Sequence, residues 1–198
     1  MKGPEVLEKV LAGNRRFVTG KNRALGDPVN LGEMVQTQSP IAAVLSCSDA
    51  RVPPHHVLDK KIGEIFVVRV AGKVPGPSVI GSLEYAVAQL KVPLLLVLGH
   101  EGCGAVKAAM EGGAEGVLGE LVKEIELAVR SVLEESENHE DAFSEAVKAN
   151  TRQTMRKLME RSPVISDAVR NGDLILAGAI YSLETGEVTV LPEKGRVL

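Results

Sequence analysis

The chain has 198 residues, 44% of them hydrophobic, with 23 basic and 26 acidic side chains and a formal net charge of −3, the size of one domain with a sizeable core. With no Trp, two Tyr, three Phe and no basic stripe, the composition excludes a nucleic-acid footprint, and no apolar run nears the roughly 20 residues that a membrane helix needs. Two cysteines exclude a disulfide scaffold, and the start Met1-Lys2-Gly3-Pro4-Glu5 lacks the apolar stretch of a signal peptide, so a cytoplasmic protein is expected.

Residues 4–19 read as a helix with Val6, Leu7, Val10, Leu11, Phe17 and Val18 on one apolar stripe. A polar loop, Lys21 to Asn30 with Gly26 and Pro28, leads to a short helix near 31–37 and a buried strand at 41–46. Val52-Pro53-Pro54 forces a turn, because Pro cannot continue a strand interior. Ile65 to Val70 is β-branched and reads as a second strand. After the Gly/Pro loop Ala71 to Pro77, Ser78 is the expected N-cap of a helix running to about Leu90. The apolar run 94–98 predicts a third strand. A helix then starts beside Cys103 and ends near Gly112-Gly113. Two amphipathic helices are predicted over 117–137 and 141–160, and Pro163 opens a short one. Leu174 to Tyr181 predicts a fourth buried strand, and Thr185-Gly186 a turn into Val188–Leu191, antiparallel to it. There is no internal repeat or linker, so one domain over 1–198 is expected. Its class is α/β: a mostly parallel sheet of about four or five strands flanked by helices.

Chemistry concentrates at two strand ends. Cys47-Ser48-Asp49-Ala50-Arg51 follows the first strand, and Gly99-His100-Glu101-Gly102-Cys103-Gly104 follows the third. In a parallel sheet such ends lie side by side, and ligands bind there. Cys47, His100 and Cys103 form a three-ligand zinc set, and three protein ligands leave a fourth position for water, the pattern of a catalytic zinc. Each residue alone has a plainer reading, a cysteine as a small buried hydrophobe and His100 as a satisfied buried histidine. The specificity lies in the combination at two strand ends. A Cys47–Cys103 disulfide does not suit a cytoplasmic setting.

Asp49 and Arg51 stand two residues apart, so their side chains can meet in the turn, and a carboxylate beside a guanidinium stays ionised. Asp49 then has two uses. It accepts a hydrogen bond from a zinc-bound hydroxide, or it swings in as a fourth ligand and closes the site. A structural salt bridge is the plainer reading of an Asp-x-Arg. Glu84 is either an anchor for a buried arginine such as Arg69 or a helix-surface carboxylate. His55 and His56 read as surface residues.

These motifs, with Phe66-Val67-Val68-Arg69-Val70-Ala71-Gly72, Ser82-Leu83-Glu84-Tyr85-Ala86-Val87 and the tail Gly178 to Gly186, closely resemble the β-class carbonic anhydrases over nearly the whole chain. The resemblance implies one zinc per chain on Cys47, His100 and Cys103, an Asp49–Arg51 dyad at the metal, and reversible hydration of carbon dioxide to bicarbonate and a proton. It also implies a substrate pocket built from Gln38, Phe66 and Tyr85, part of it reaching across a dimer interface. In some family members a regulatory bicarbonate pocket places a Trp and a Gly where this chain has Val44 and Ser46, so the open form of the site is expected here. The apolar stripe of the N-terminal helix has little evident use at the edge of a small sheet. By the resemblance it embraces a partner, which predicts a homodimer or a dimer of dimers. Two other readings share these residues. One is a carbon disulfide or carbonyl sulfide hydrolase on the same scaffold. The other is a non-catalytic zinc-binding or redox-sensing protein in which Asp49 closes the metal and the cysteines are oxidisable. A sensor has no need of the dyad or of Gln38, Phe66 and Tyr85.

Overall fold

The computed structural model describes residues 1–24, 32, 35, 37–112, 114–135 and 139–192. The elements in chain order are α1 (Gly3–Val18), β1 (Ala42–Ser46), α2 (Pro54–Val57), β2 (Ile65–Arg69), a 3-10 turn (Ala71–Lys73), α3 (Pro77–Ala88), β3 (Leu94–His100), α4 (Gly104–Glu111), α5 (Gly116–Glu135), α6 (His139–Arg161), α7 (Pro163–Arg170), β4 (Ile175–Tyr181) and β5 (Val188–Val190). Most of the expected loop to Asn30 and of the short helix near 31–37 lies outside the described residues.

The five strands form one sheet in the order β2-β1-β3-β4-β5. The first three pairings are parallel and the β4–β5 pairing is antiparallel. Every residue of β1 and β3 is buried, as their unbroken apolar sequences require of strands covered on both faces. Strand alternation divides the core. Val44, Leu96 and Leu98 face α1 and α2, where Val6, Val10, Val57 and Leu58 meet them. Ala43, Leu45, Leu95 and Val97 face α3 and α7, with Leu83, Ile165 and Val169. A third apolar cluster, from α4, α5 and α6, closes over the C-terminal ends of the strands and includes Cys47 and Cys103.

Four sequence expectations change. Part of the apolar stripe of α1 is used within the chain: Val6 and Val10 are fully buried against its own sheet, while Leu7 and Leu11 are half-buried and Val18 is exposed. Asn14 fixes the helix further, its amide donating to the carbonyls of Val57 (3.1 Å) and Gly186 (2.8 Å). Ser78 is not the N-cap of α3. Gly76 is, and Pro77 opens the helix, its ring having pre-set φ for that position. Val52-Pro53-Pro54 does not merely turn the chain, for Pro54 starts the short α2. The third strand runs two residues beyond the apolar run, because Gly99 and His100 still pair with Ile180 and Tyr181. No described helix is long and apolar enough to cross a membrane.

Candidate metal centre

The chain leaves β1, adds β2 on one side and then crosses to place β3 on the other. That reversal makes the C-terminal ends of β1 and β3 the switch point of the sheet, the place where open α/β sheets bind their ligands. Cys47 is the first residue past β1, His100 the last of β3, and Cys103 the N-cap residue of α4. All three are buried. Their ligating atoms lie within 4.8 Å of one another, and among the described residues no fourth His, Cys or carboxylate joins the group.

The histidine shows what this cluster suits. Its Nδ1 lies 2.8 Å from the Glu101 carbonyl oxygen, so the Nδ1–H donates there and Nε2 is left as a lone-pair acceptor. Nε2 is buried and has no hydrogen-bond partner. An unmade buried bond of this kind costs about 1–3 kcal/mol, and a metal ion is the partner that two adjacent sulfurs imply. The second ring nitrogen fixed on a carbonyl is the usual support of a ligating histidine.

Both cysteines are free. The Cys103 thiol donates to Cys47 and pulls the Cys47 pKa far down, against the effect of burial, with help from the backbone N–H groups of Asp49 and Gly72. The same shared proton, together with burial, pushes Cys103 up, and the Val106 N–H in the first turn of α4 opposes this. A divalent cation bound here would displace the proton that the two sulfurs share. Two sulfurs and one imidazole are a donor set that zinc accepts.

Asp49 and Arg51 meet as a bidentate pair, Nε to Oδ1 at 3.0 Å and Nη2 to Oδ2 at 2.8 Å, and the Arg51 backbone N–H donates to Oδ1 at 2.9 Å. The Arg51 hydrogen bonds hold the Asp49 carboxyl well below the usual carboxylate range. Arg51 also reaches the Gly102 carbonyl at 3.4 Å, tying the Cys47 loop to the Cys103 loop. With both oxygens taken by Arg51, Asp49 stands outside the ligand group.

Two supports escaped the sequence reading. Arg69 does not pair with Glu84. It ends β2 in register with Ser46, donating through Nε to the Cys47 carbonyl (3.0 Å) and through Nη2 to the Asp49 carbonyl (2.6 Å). Glu84 instead accepts from the hydroxyl of Ser162, the N-cap residue of α7, at 2.6 Å. Only the register of β2 against β1 could have indicated this clamp. The second support is Gly72, at φ 59° in the turn after β2, where a Cβ would lie 2.5 Å from Ile125 Cδ1. Only glycine brings this N–H to the Cys47 sulfur at no steric cost.

The residues expected for the substrate pocket are not gathered with the ligands. Phe66, half-buried on the edge strand β2, packs with the Ala43 and Leu45 side of the core. Its ring centroid is 6.2 Å from that of Tyr85, which is 46% exposed. Gln38 is exposed in the segment before β1. Val44 and Ser46 are fully buried.

The switch point and its buried side chains define an α/β protein with a Cys-His-Cys group that could hold a metal ion. The family model described as carbonic anhydrase matches residues 42–188. Carbonic anhydrase 2 of Mycobacterium tuberculosis is 36% identical over 188 residues, which are 93% of this chain and 91% of that protein. Among solved structures, a β-carbonic anhydrase of Aspergillus fumigatus aligns with a TM-score of 0.78 at 25% identity, over 93% of this chain and 90% of that one. The Coccomyxa β-carbonic anhydrase, solved in complex with acetazolamide, aligns at 0.76 and 27% identity over 93% and 86%. The chain belongs to the β-class carbonic anhydrase family.

Proposed function

We propose that this protein catalyses the reversible hydration of carbon dioxide to bicarbonate and a proton at one zinc ion per chain, held by Cys47, His100 and Cys103. The observation that carries this reading is the unpartnered, buried Nε2 of His100 beside two sulfurs. Zinc in such a set supplies Lewis acidity that lowers the pKa of a water from about 15.7 towards 7.

The chain's own groups do the rest. Asp49, kept ionised by Arg51, accepts a hydrogen bond from the reacting water and turns its lone pair towards carbon. Because Arg51 occupies both oxygens of Asp49, the open form is the one this pairing favours. Arg69 and Gly72 hold the loop that carries Cys47 and Asp49. The Gln38 amide donates to a substrate oxygen, and Phe66 and Tyr85 supply apolar wall to a small apolar molecule. The last two do so in a homodimer or a dimer of dimers, in which the edge strand β2 meets a second copy. The free thiols suit a reducing, cytoplasmic setting. The test is stopped-flow carbon dioxide hydration between pH 6 and 9 on protein whose zinc has been counted. One zinc per chain with activity rising through one basic ionisation is expected; one zinc with no hydration at any pH refutes the reading.

A further inference from the structure

The turn after β2 holds two successive residues in the left-handed region, Gly72 at φ 59° and Lys73 at φ 52°. Lys73 carries a Cβ and is 1% exposed, so its backbone is strained and persists only because the surroundings over-determine it. Within the turn, the Lys73 N–H donates to the Val70 carbonyl (2.9 Å). Helices α4 and α5 close two sides: a Cβ on Gly72 would lie 3.1 Å from Ala105 Cβ and 2.5 Å from Ile125 Cδ1. Helix α6 closes the third. There Asn150, 2% exposed, donates its amide to the Gly72 carbonyl at 3.1 Å. The Thr154 hydroxyl is 3.5 Å from the Lys73 carbonyl, but its single hydrogen has a better acceptor in the Asn150 carbonyl at 2.9 Å. Asn150 therefore carries the polar link from α6 to the turn.

The turn reaches the candidate ligand group through one bond, the Gly72 N–H donating to the Cys47 sulfur. The N–H and the carbonyl of Gly72 flank one Cα, so a bond that fixes the carbonyl restrains the swing of the N–H. An N–H bonded to a ligating sulfur draws electron density from it and so tunes the metal. We propose that Asn150 is a positioning residue of the metal centre: from α6 it locks the turn at Gly72, holds the Gly72 N–H on the Cys47 sulfur, and so limits how strongly Cys47 donates to a bound metal. Gln153, on the same helix, is the control. It is also buried and its amide also donates to a backbone carbonyl, but that carbonyl is Glu124 of α5 (2.7 Å) and not part of the turn.

The inference rests on the metal site proposed above, and the experiment separates the two. Cobalt(II) is loaded onto the wild type, Asn150→Leu and Gln153→Leu. Chelator competition reads affinity, and the sulfur-to-cobalt charge-transfer band reads sulfur donation. Asn150→Leu is expected to weaken the metal about tenfold, as for other supports of a ligand, and to move the band to lower energy. Gln153→Leu also loses one buried hydrogen bond, yet is expected to keep the band and to stay within about twofold in affinity. A band that does not move to lower energy in Asn150→Leu overturns the proposal, whatever the affinity does. An equal shift in both variants overturns it too, since that marks a merely structural role. Should Asn150→Leu not fold, NMR of the cadmium-loaded wild type decides. A scalar coupling from the Gly72 amide proton to the metal through Cys47 is expected, with the Asn150 side-chain amide protected from solvent exchange, and the absence of either overturns the proposal. Wild type that takes up no cobalt refutes the metal site and this proposal together. Wild type that binds cobalt, shows the Asn150 shift and, with zinc, hydrates no carbon dioxide refutes the hydration reading alone and leaves Asn150 in its role.

Discussion

The C-terminal ends of β1 and β3 and the outer edge of the sheet at β2 contribute to the same proposed reaction, yet one chain treats them differently. At the strand ends all three ligand residues are buried, their donor atoms are within 4.8 Å, and the loops are tied by Arg51 and Arg69. At the β2 edge, Phe66 and Tyr85 touch each other and stay partly in solvent, away from the ligands. Metal ligation needs sub-ångström placement of a few atoms, which sheet topology and loop hydrogen bonds can supply inside one chain. Enclosing a small apolar substrate needs surface, and here the surface is left on an edge strand that a second copy can cover.

The largest expected effect lies on the metal side. His100→Ala, Cys47→Ser or Cys103→Ser should leave no stoichiometric metal by elemental analysis and no hydration above the uncatalysed rate, because each removes a third of the ligand set. A variant that keeps both would break the comparison at its stronger end. Asp49→Asn should retain metal and lose about a hundredfold or more in kcat/KM, the scale of one well-placed proton acceptor. Arg51 depresses the Asp49 pKa, so the ionised dyad is present above the ordinary carboxylate value of about 4 and is lost only as pH falls through the lower folded value. The rate ratio of wild type to Asp49→Asn should therefore stay flat from pH 6 to 9, and a ratio that collapses towards pH 6 would contradict this ionisation.

Arg69→Met tests whether the clamp on the Cys47 loop is part of the metal half. Metal affinity, read by chelator competition, should fall about tenfold, as for other supports of a ligand. At the weaker end, Tyr85→Arg places a charge on the half-exposed ring position. Sedimentation should show a smaller assembly, and hydration should drop about tenfold or more through misplaced pocket walls, with metal content unchanged. A full-rate monomer would show that the β2 edge takes no part. The smallest effect belongs to Ser162→Ala, which removes the cap of α7 and the partner of Glu84. It should cost about 1 kcal/mol in denaturant unfolding and leave metal and rate alone. A change in metal affinity there would restore a link from Glu84 to the site.

How much of this was legible beforehand can be followed residue by residue. Cys47, His100, Cys103, Asp49 and Arg51 stood out because they follow apolar runs whose identity as buried strands is a local property, and β1, β3 and β4 lie within a residue or two of where those runs predicted them. The partner of Glu84 stayed open because Ser162 lies 78 residues away, and only the packing of α3 against α7 brings them together. Lys73 drew no notice, since a lysine in a Gly/Pro loop reads as exposed until α6 closes over it. The stripe of α1 was visible, but its use was not, because periodicity gives a face and never the surface that covers it.

Sequence alone determined the class, the strands and the three residues that could hold a metal, since these follow from side-chain chemistry and from patterns a few residues long. Tertiary structure alone decided which carbonyls Arg69 holds, that His100 lies within its strand with Nε2 free for a ligand, and that Lys73 is buried. Those outcomes depend on strand register, crossover and helix approach, and they join residues separated by tens of positions through contacts that no local pattern encodes.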